Sequence, residues 1–211
     1  GLPETGGRAR GRSPRPQAAA GDFWRNRPLL GCWLATLGGC FGLGMFVTFS
    51  PLHAHQHGVN VGQVGLIFTA QAVLNALSRI PFGRLTDRVG NRRRLALLGL
   101  LAYSASMASF GLAVDLAQFL LSAAALGISM GLAFTPLGAL IVETVPPEAR
   151  GLAMGGYNTC IYLGMMLSSA LMGGLVDLIG FDGGFVLAAE AILLSSGAYY
   201  RLVRGFAPRR P

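Results

Sequence analysis

Six apolar stretches, separated by short polar intervals, divide the chain from residue 29 onward. Each approaches or exceeds the roughly 20 residues that a helix needs to cross about 30 Å of hydrocarbon. The pattern therefore predicts an all-α membrane protein whose six transmembrane helices occupy residues 28–204. The apolar stretches cover residues 29–50, 61–82, 95–114, 116–145, 152–178 and 184–203.

Basic residues occupy alternate intervals between these stretches. All 17 basic residues are Arg, and they lie before the first stretch, between the second and third, between the fourth and fifth, and after the sixth, including the adjoining helix ends. The opposite intervals carry His and Asp instead. Because Arg is retained on the cytoplasmic side of a membrane, both termini are predicted to be cytoplasmic, which requires an even number of spans.

The two ends of the chain lack this pattern. Residues 1–27 are rich in Arg, Pro, Gly and Ala and show no apolar periodicity, so a disordered basic linker is predicted there. Residues 205–211 are predicted to form a short cytoplasmic tail.

Composition agrees with a membrane protein. The chain is 52% hydrophobic and 12% charged, with a mean hydropathy of +0.52, whereas soluble domains carry about 25% charged residues. A net charge of +8 could indicate nucleic-acid binding. The Arg residues sit in the intervals between apolar stretches, however, so no nucleic-acid partner is predicted.

The interval at 83–94, with the sequence GRLTDRVGNRRR, is the densest in charge. Its form, Gly-x-Leu-x-Asp-Arg-x-Gly-x-Arg-Arg, resembles the signature loop of the major facilitator superfamily of secondary transporters. In that family the loop joins the second and third helices of each six-helix half, which is its position here. The resemblance implies one half of a major facilitator bundle, and we interpret it as the C-terminal half.

A second short motif lies near the start of the chain. Residues 2–6, with the sequence LPETG, are similar to the Pro-Glu-Thr that often ends the sixth helix in this superfamily. The alternative is an engineered sortase tag, because the same five residues are that enzyme's recognition motif. We favour the native interpretation.

The resemblance also carries an expected function. The chain looks most like bacterial drug- and sugar-efflux members, which implies proton-coupled antiport of a small molecule by alternating access. The same resemblance implies a location in the bacterial plasma (inner) membrane. The implied partners are a small-molecule substrate, protons, the lipid bilayer and an N-terminal six-helix half or a second copy. The chain carries no nucleophile elbow, zinc-protease motif or phosphate-binding loop, so neither an enzyme nor a cofactor is predicted. The alternatives are a non-transporting sensor or scaffold on a half-transporter fold, and uptake rather than efflux.

A cytoplasmic gate is implied by two of the Arg-containing intervals. Glu143, Pro146 and Arg150 match the Glu-x-x-Pro-x-x-x-Arg pattern of sugar-porter members. The alternative is that these Arg residues only set topology, or reach the headgroups from within a helix end. The resemblance and position together predict a gate formed by Gly83, Asp87, Arg88, Gly90, Arg92, Glu143, Arg150 and Arg79.

Polar residues inside the apolar stretches are candidates for a substrate cavity. Gln71 and Asn75 lie one turn apart, and Asn158 and Tyr162 repeat that spacing, so each pair shares a helix face. They either line a cavity or form interhelical hydrogen bonds. Glu190, the acid within the sixth stretch, is a candidate for proton coupling, although the corresponding helix in this family is usually peripheral.

Three His residues follow the first apolar stretch. His53, His55 and His57 have a spacing that could bind a transition metal, but no Cys or carboxylate lies nearby in the sequence. We therefore interpret them as a polar loop end and predict no metal site.

Overall fold

The computed structural model describes residues 25–205, and this part of the chain is α-helical, as predicted. A 3₁₀ turn, Pro147–Ala149, lies between the fourth and fifth helices. The predicted linker and tail, including the LPETG motif, lie outside the described residues except for residues 25–27 and 205. The helices are α1 (Arg27–Gln56), α2 (Val61–Arg88), α3 (Arg92–Gly111), α4 (Leu116–Glu143) and α5 (Arg150–Val203). All five are long and apolar enough to cross a membrane.

Short polar side chains fix where the helices begin. Asn26, Asn91 and Asp115 each accept a hydrogen bond from a backbone N–H of the first turn that follows, at 3.2, 3.3 and 2.8 Å. Asn60 forms a reciprocal capping box with Gln63, at 2.9 and 3.0 Å. These bonds satisfy donors that have no partner within the helix, so the start of each of the first four helices is encoded locally.

Two helices extend further than the hydropathy pattern predicted. α1 continues through Pro51 to Gln56, whereas the predicted stretch ended at Ser50. α2 continues to Arg88, so the predicted charged loop is reduced to residues 89–91. In both places the helix continues beyond the apolar zone, because polar residues are tolerated at an exposed helix end.

The fifth helix is divided by Gly180, whose φ of 74° and ψ of 172° are non-helical. This break falls in the interval between the predicted fifth and sixth stretches. The first arm, 150–179, runs in the same direction as α1: Trp33 lies against Gly156, and further along α1, Gly44 lies against Ser168.

The second arm, 181–203, runs in the opposite direction. Gly31, near the start of α1, lies against Val203, whereas Gly42 lies against Ile192. The two arms are thus antiparallel, and the chain reverses at Gly180. Gly184 lies close to both Val176 and Met45, which brings both arms and α1 together beside the reversal.

Close helix packing depends on glycine at several crossings. A Cβ at Gly99 would collide with the backbone of Ala133, and one at Gly127 would collide with the backbone carbonyl oxygen of Gln71. A Cβ at Gly164 would lie 2.5 Å from the carbonyl oxygen of Leu37. Such contacts are typical of membrane helices, where backbone proximity rather than hydrophobic exclusion drives association.

The helices are not equally covered. α1 packs on both arms of α5, α3 packs on α4 and the second arm, and α2 packs mainly on α4. In the most apolar part of α1, 67% of residues are buried, compared with 17% in α2. One face of the bundle, formed by α2 and the first arm of α5, therefore has no neighbours among residues 25–205.

The two ends of the bundle differ in chemistry. The arginine end is formed by the end of α2, the start of α3, the end of α4, the start of α5 and the end of the second arm. The opposite end contains a cluster of close-packed rings. Phe110 lies 5.0 to 5.2 Å from Phe46, Phe119 and Phe185, measured between ring centroids. His53, fully buried, joins this aromatic cluster at 5.2 Å from Phe119.

Candidate functional site

The charge cluster at the arginine end is positioned by the tight connection between α2 and α3. Val89 donates a backbone hydrogen bond of 2.8 Å to Leu85 and closes α2, and Asn91 caps α3 two residues later. Asp87 therefore lies on the last turn of α2, and Arg92 is the first residue of α3. The helical placement of Asp87 corrects the prediction that it lies in a loop.

Arg92 is the centre of this cluster. Its Nη2 atom lies 3.3 Å from Asp87 Oδ1, and its Nη1 atom forms an ion pair with Glu143 Oε1 at the end of α4. Its Nε atom donates a hydrogen bond of 3.2 Å to the carbonyl oxygen of Thr86. One guanidinium thus joins the ends of α2, α3 and α4, using the fork geometry in which Arg can serve several acceptors.

The two carboxylates of the cluster have different environments. The side chain of Asp87 is 77% exposed, whereas those of Arg92 and Glu143 are 26% and 29% exposed. Glu143 Oε2 is buried and has no hydrogen-bond partner in the described part of the chain. The Arg92–Glu143 contact is therefore the better shielded of the two, and water screens Asp87 more strongly.

Other predicted gate residues lie nearby without joining the cluster. Within residues 25–205, Arg88 and Arg150 are exposed and form no ion pair. Arg79 donates to Asn75 Oδ1 at 3.3 Å, one turn away along α2. Gly83 and Gly90 have open space around their Cα atoms. The structure thus brings together Asp87, Arg92 and Glu143 from the predicted set.

The predicted cavity residues separate into two groups. Gln71 is buried, and its Nε2 atom lies 3.1 Å from Met130 Sδ, so it contributes to packing between α2 and α4. Asn75 is partly buried, whereas Asn158 and Tyr162 are exposed on the first arm of α5. Glu190 is exposed on the second arm.

The histidine segment is not the polar loop end that was predicted. His53 lies within α1 and is buried, and neither of its ring nitrogens has a hydrogen-bond partner among the described residues. Its Nδ1 atom lies 3.5 Å from Asp182 Oδ1, and its carbonyl oxygen lies 3.0 Å from His57 Nδ1. His55 is exposed. Between residues 25 and 205, no group of three or more His, Cys, Asp or Glu side chains is arranged to hold a metal ion.

Sequence reasoning missed two contacts between distant parts of the chain. Asn26 Nδ2 donates a 2.8 Å hydrogen bond to the carbonyl oxygen of Thr144, and His53 approaches Asp182. An Asn before an apolar helix signals a cap, but nothing local indicates its second partner. The partner of His53 follows only from the reversal at Gly180.

Comparison with known proteins gives consistent matches. The family model described as Major Facilitator Superfamily matches residues 32–211. The chain is 32% identical over 183 residues to the multidrug resistance protein MdtG of Dickeya zeae, covering 82% of this chain and 43% of that protein. It is 24% identical over 176 residues to the staphylopine export protein of Staphylococcus aureus, covering 82% and 44%.

A solved structure shares the fold. The chain is similar to a bacterial homolog of the human lysosomal transporter Spinster, in an inward-facing and occupied conformation, with a TM-score of 0.71 and 21% sequence identity. The similarity covers 90% of this chain and 46% of that one. The chain thus spans less than half the length of each protein named here.

Proposed function

The chain belongs to the major facilitator superfamily, a family of membrane transporters and not of enzymes, and from this premise we propose that it forms one six-helix half of a secondary transporter that exports a small molecule by alternating access. The observation that carries the proposal is the uncovered face of α2 and the first arm of α5, which exposes polar side chains of two apolar helices.

Six membrane crossings are proposed because α5 is too long for one. Its 54 residues would extend about 81 Å at 1.5 Å per residue, against about 30 Å of hydrocarbon. The break at Gly180 and the antiparallel arms support two crossings by this helix. The alternating Arg distribution supports a cytoplasmic location for the arginine end and for both termini.

A second six-helix unit is proposed to cover the exposed face. Asn75, Arg79, Asn158 and Tyr162 would otherwise meet lipid, where an unsatisfied polar group costs several kcal/mol. A partner half, or a second copy of this chain, would enclose these side chains in a cavity between the two units. The limited coverage of longer relatives favours a partner half within the same protein.

Export is proposed as the direction of transport because relatives of this chain are named for multidrug resistance and for staphylopine export. We also propose that transport is coupled to protons, with Glu190, a carboxylate within an apolar segment, as the candidate coupling residue. The Arg92 cluster is proposed to hold the ends of α2, α3 and α4 together when the cytoplasmic side is closed.

Transport is tested with the full-length protein that contains this chain, produced in bacteria that lack their major drug pumps. We expect lower ethidium accumulation, reversed by an uncoupler that collapses the proton gradient. Asn158→Ala and Tyr162→Ala should impair this export, whereas Leu98→Ala, a matched exposed site on α3, should not. Equal loss in all three variants would contradict a cavity on the uncovered face. Normal export after uncoupling would contradict proton coupling.

Topology is tested by cysteine labelling of the same protein in intact cells. An impermeant maleimide should label Asp115→Cys and Asp182→Cys from outside, and Glu148→Cys and Arg204→Cys only after permeabilisation. Labelling of positions 182 and 204 from the same side would refute two crossings by α5.

A further inference from the structure

A cavity of about 190 Å³ opens at the arginine end, where the start of α3 meets the end of the second arm of α5. It lies apart from the Arg92 cluster and from the uncovered face of α2 and the first arm. Its walls combine guanidinium groups, aromatic rings and aliphatic side chains. The lining residues are Asn91, Arg93, Arg94, Leu97, Tyr199, Tyr200, Val203 and Arg204.

Hydrogen bonds between α3 and α5 fix one wall of this cavity. Arg93 Nη1 donates to the carbonyl oxygens of Val203 and Arg204, at 3.1 and 3.4 Å. The hydroxyl of Tyr199 donates to the carbonyl oxygen of Arg93 at 3.3 Å. Hydrogen bonds between the two helices therefore hold this wall in place, and Arg93 is bound to two backbone carbonyl groups.

The positive charge of the cavity has no acidic counterpart among the residues that the structure describes. Within residues 25–205, no acidic residue lines the cavity, and the guanidinium groups of Arg94 and Arg204 have no hydrogen-bond or ion-pair partner. The nearby carboxylates Asp87 and Glu143 are both bound by Arg92. Two guanidiniums without a partner, beside a third that binds only backbone carbonyl oxygens, favour an anion with several acceptor oxygens, such as a phosphate.

The apolar walls indicate which kind of molecule the phosphate belongs to. Leu97 and Tyr200 line the cavity. Leu101 lies one turn beyond Leu97 and is exposed, and on the second arm Leu193 is exposed and Gly197 has open space around it. These positions continue the apolar wall of the cavity along α3 and the second arm, and we refer to them as the groove. The cavity volume is also below the roughly 300–1,000 Å³ of pockets that enclose drug-sized ligands.

We propose that this cavity binds the phosphate of an anionic phospholipid, with its acyl chains along the groove between α3 and the second arm of α5. Basic pockets between membrane helices suit such headgroups. The proposal needs the chain to lie in a membrane, but it does not depend on the transported molecule or on the direction of transport.

The experiment measures lipid binding by native mass spectrometry of the delipidated full-length protein, titrated with phosphatidylglycerol or phosphatidylcholine. We expect phosphatidylglycerol to bind at least about 10-fold more tightly. Arg94→Gln combined with Arg204→Gln should weaken phosphatidylglycerol binding about 30-fold, because each basic residue near the surface contributes about a factor of five. Arg201→Gln, which removes one charge from the same end of α5 outside the cavity, should weaken it by no more than the factor of about five that general surface charge contributes.

Four results would overturn the proposal. Equal affinity for both lipids would show that the cavity does not select by lipid charge. A loss of affinity in Arg201→Gln as large as that in the double variant would show that the effect comes from general surface charge. Displacement of phosphatidylglycerol by glycerol 3-phosphate at matching concentrations would assign the cavity to a soluble phosphate. Arg94→Lys with Arg204→Lys controls for folding, because it keeps the charge and should retain most of the selectivity. If the Lys variant is monodisperse but no longer prefers phosphatidylglycerol to phosphatidylcholine, the proposal that the cavity selects by charge is contradicted.

Discussion

Neutralising Glu143 should loosen the arginine end far more than neutralising Asp87, although both carboxylates contact the same guanidinium. Asp87 is 77% exposed, and ion pairs at exposed positions contribute about 0.2–1 kcal/mol. Arg92 and Glu143 are 26% and 29% exposed, and a hydrogen bond to a partly shielded charged group contributes about 1.5–3 kcal/mol. Since the amide of Glu143→Gln keeps part of this hydrogen bond, we expect a cost of about 1–2 kcal/mol.

Hydrogen exchange in the full-length protein, reconstituted in lipid nanodiscs, measures this difference locally. Amides at 86–95 exchange when the ends of α2 and α3 open, so their rates report the free energy of that opening. Glu143→Gln should raise these rates about 5- to 30-fold, and Asp87→Asn at most about fivefold, because 1.4 kcal/mol corresponds to a factor of ten. Amides at 110–120, at the aromatic end, serve as the internal reference and should keep their rates.

A double-mutant cycle tests whether Glu143 stabilises the arginine end through its contact with Arg92. Arg92→Gln should accelerate exchange at least as much as Glu143→Gln, and the double variant should add little to Arg92→Gln, because the two side chains act through one contact. Additive effects, or an Asp87→Asn effect equal to that of Glu143→Gln, would refute the assignment of the tighter contact to Glu143.

Three further predictions concern the free energy of unfolding of the full-length protein in detergent. Gly127→Ala should lower the free energy of unfolding by about 1–3 kcal/mol, because the added Cβ would meet the backbone of α2. Gly138→Ala, where the added Cβ has open space, should change it by less than about 0.5 kcal/mol. Equal effects of the two substitutions would contradict the close crossing of α2 and α4. Gly180→Ala should cost about 1–3 kcal/mol because φ of 74° with ψ of 172° is a glycine conformation, whereas Gly173→Ala in the helical first arm should be close to neutral. Asn26→Ser should lower the free energy of unfolding by about 1 kcal/mol, because the hydrogen bond to the carbonyl oxygen of Thr144 is lost. Asn26→Ala should lower it by about 2 kcal/mol, because the side-chain cap of α1 is lost as well. Identical costs for the two variants would show that the cap contributes nothing.

The helices could be predicted from the sequence because their signals are local. Apolar stretches located all five helices, and the interval 179–183 contained the break at Gly180. The ends of α1 and α2 were predicted too early, since hydropathy reports the loss of apolar character and not the end of hydrogen bonding. Pro51 lies inside α1 and Asp87 inside α2 for this reason.

The candidate site was predictable as a region and not as a set of contacts. The motif at 83–94 marked the charge cluster, yet it contains several Arg residues with similar sequence surroundings. In the fold, Arg92 at the start of α3 pairs with Glu143 at the end of α4, whereas Arg88 on α2 and Arg150 on α5 are exposed. His53 was assigned to a polar loop because its aromatic neighbours Phe181 and Phe185 are distant in the sequence.

The different chemistry of the two ends makes the bundle sensitive to the type of dissolved salt. Sodium chloride near 1 M shortens the screening length to about 3 Å and weakens the partly exposed contacts of Arg92, but it has no charge to screen between Phe110 and Phe185. Sulfate strengthens the burial of apolar rings through exclusion from the protein surface. Concentrated chloride is therefore expected to loosen the arginine end, whereas sulfate is expected to tighten the aromatic end.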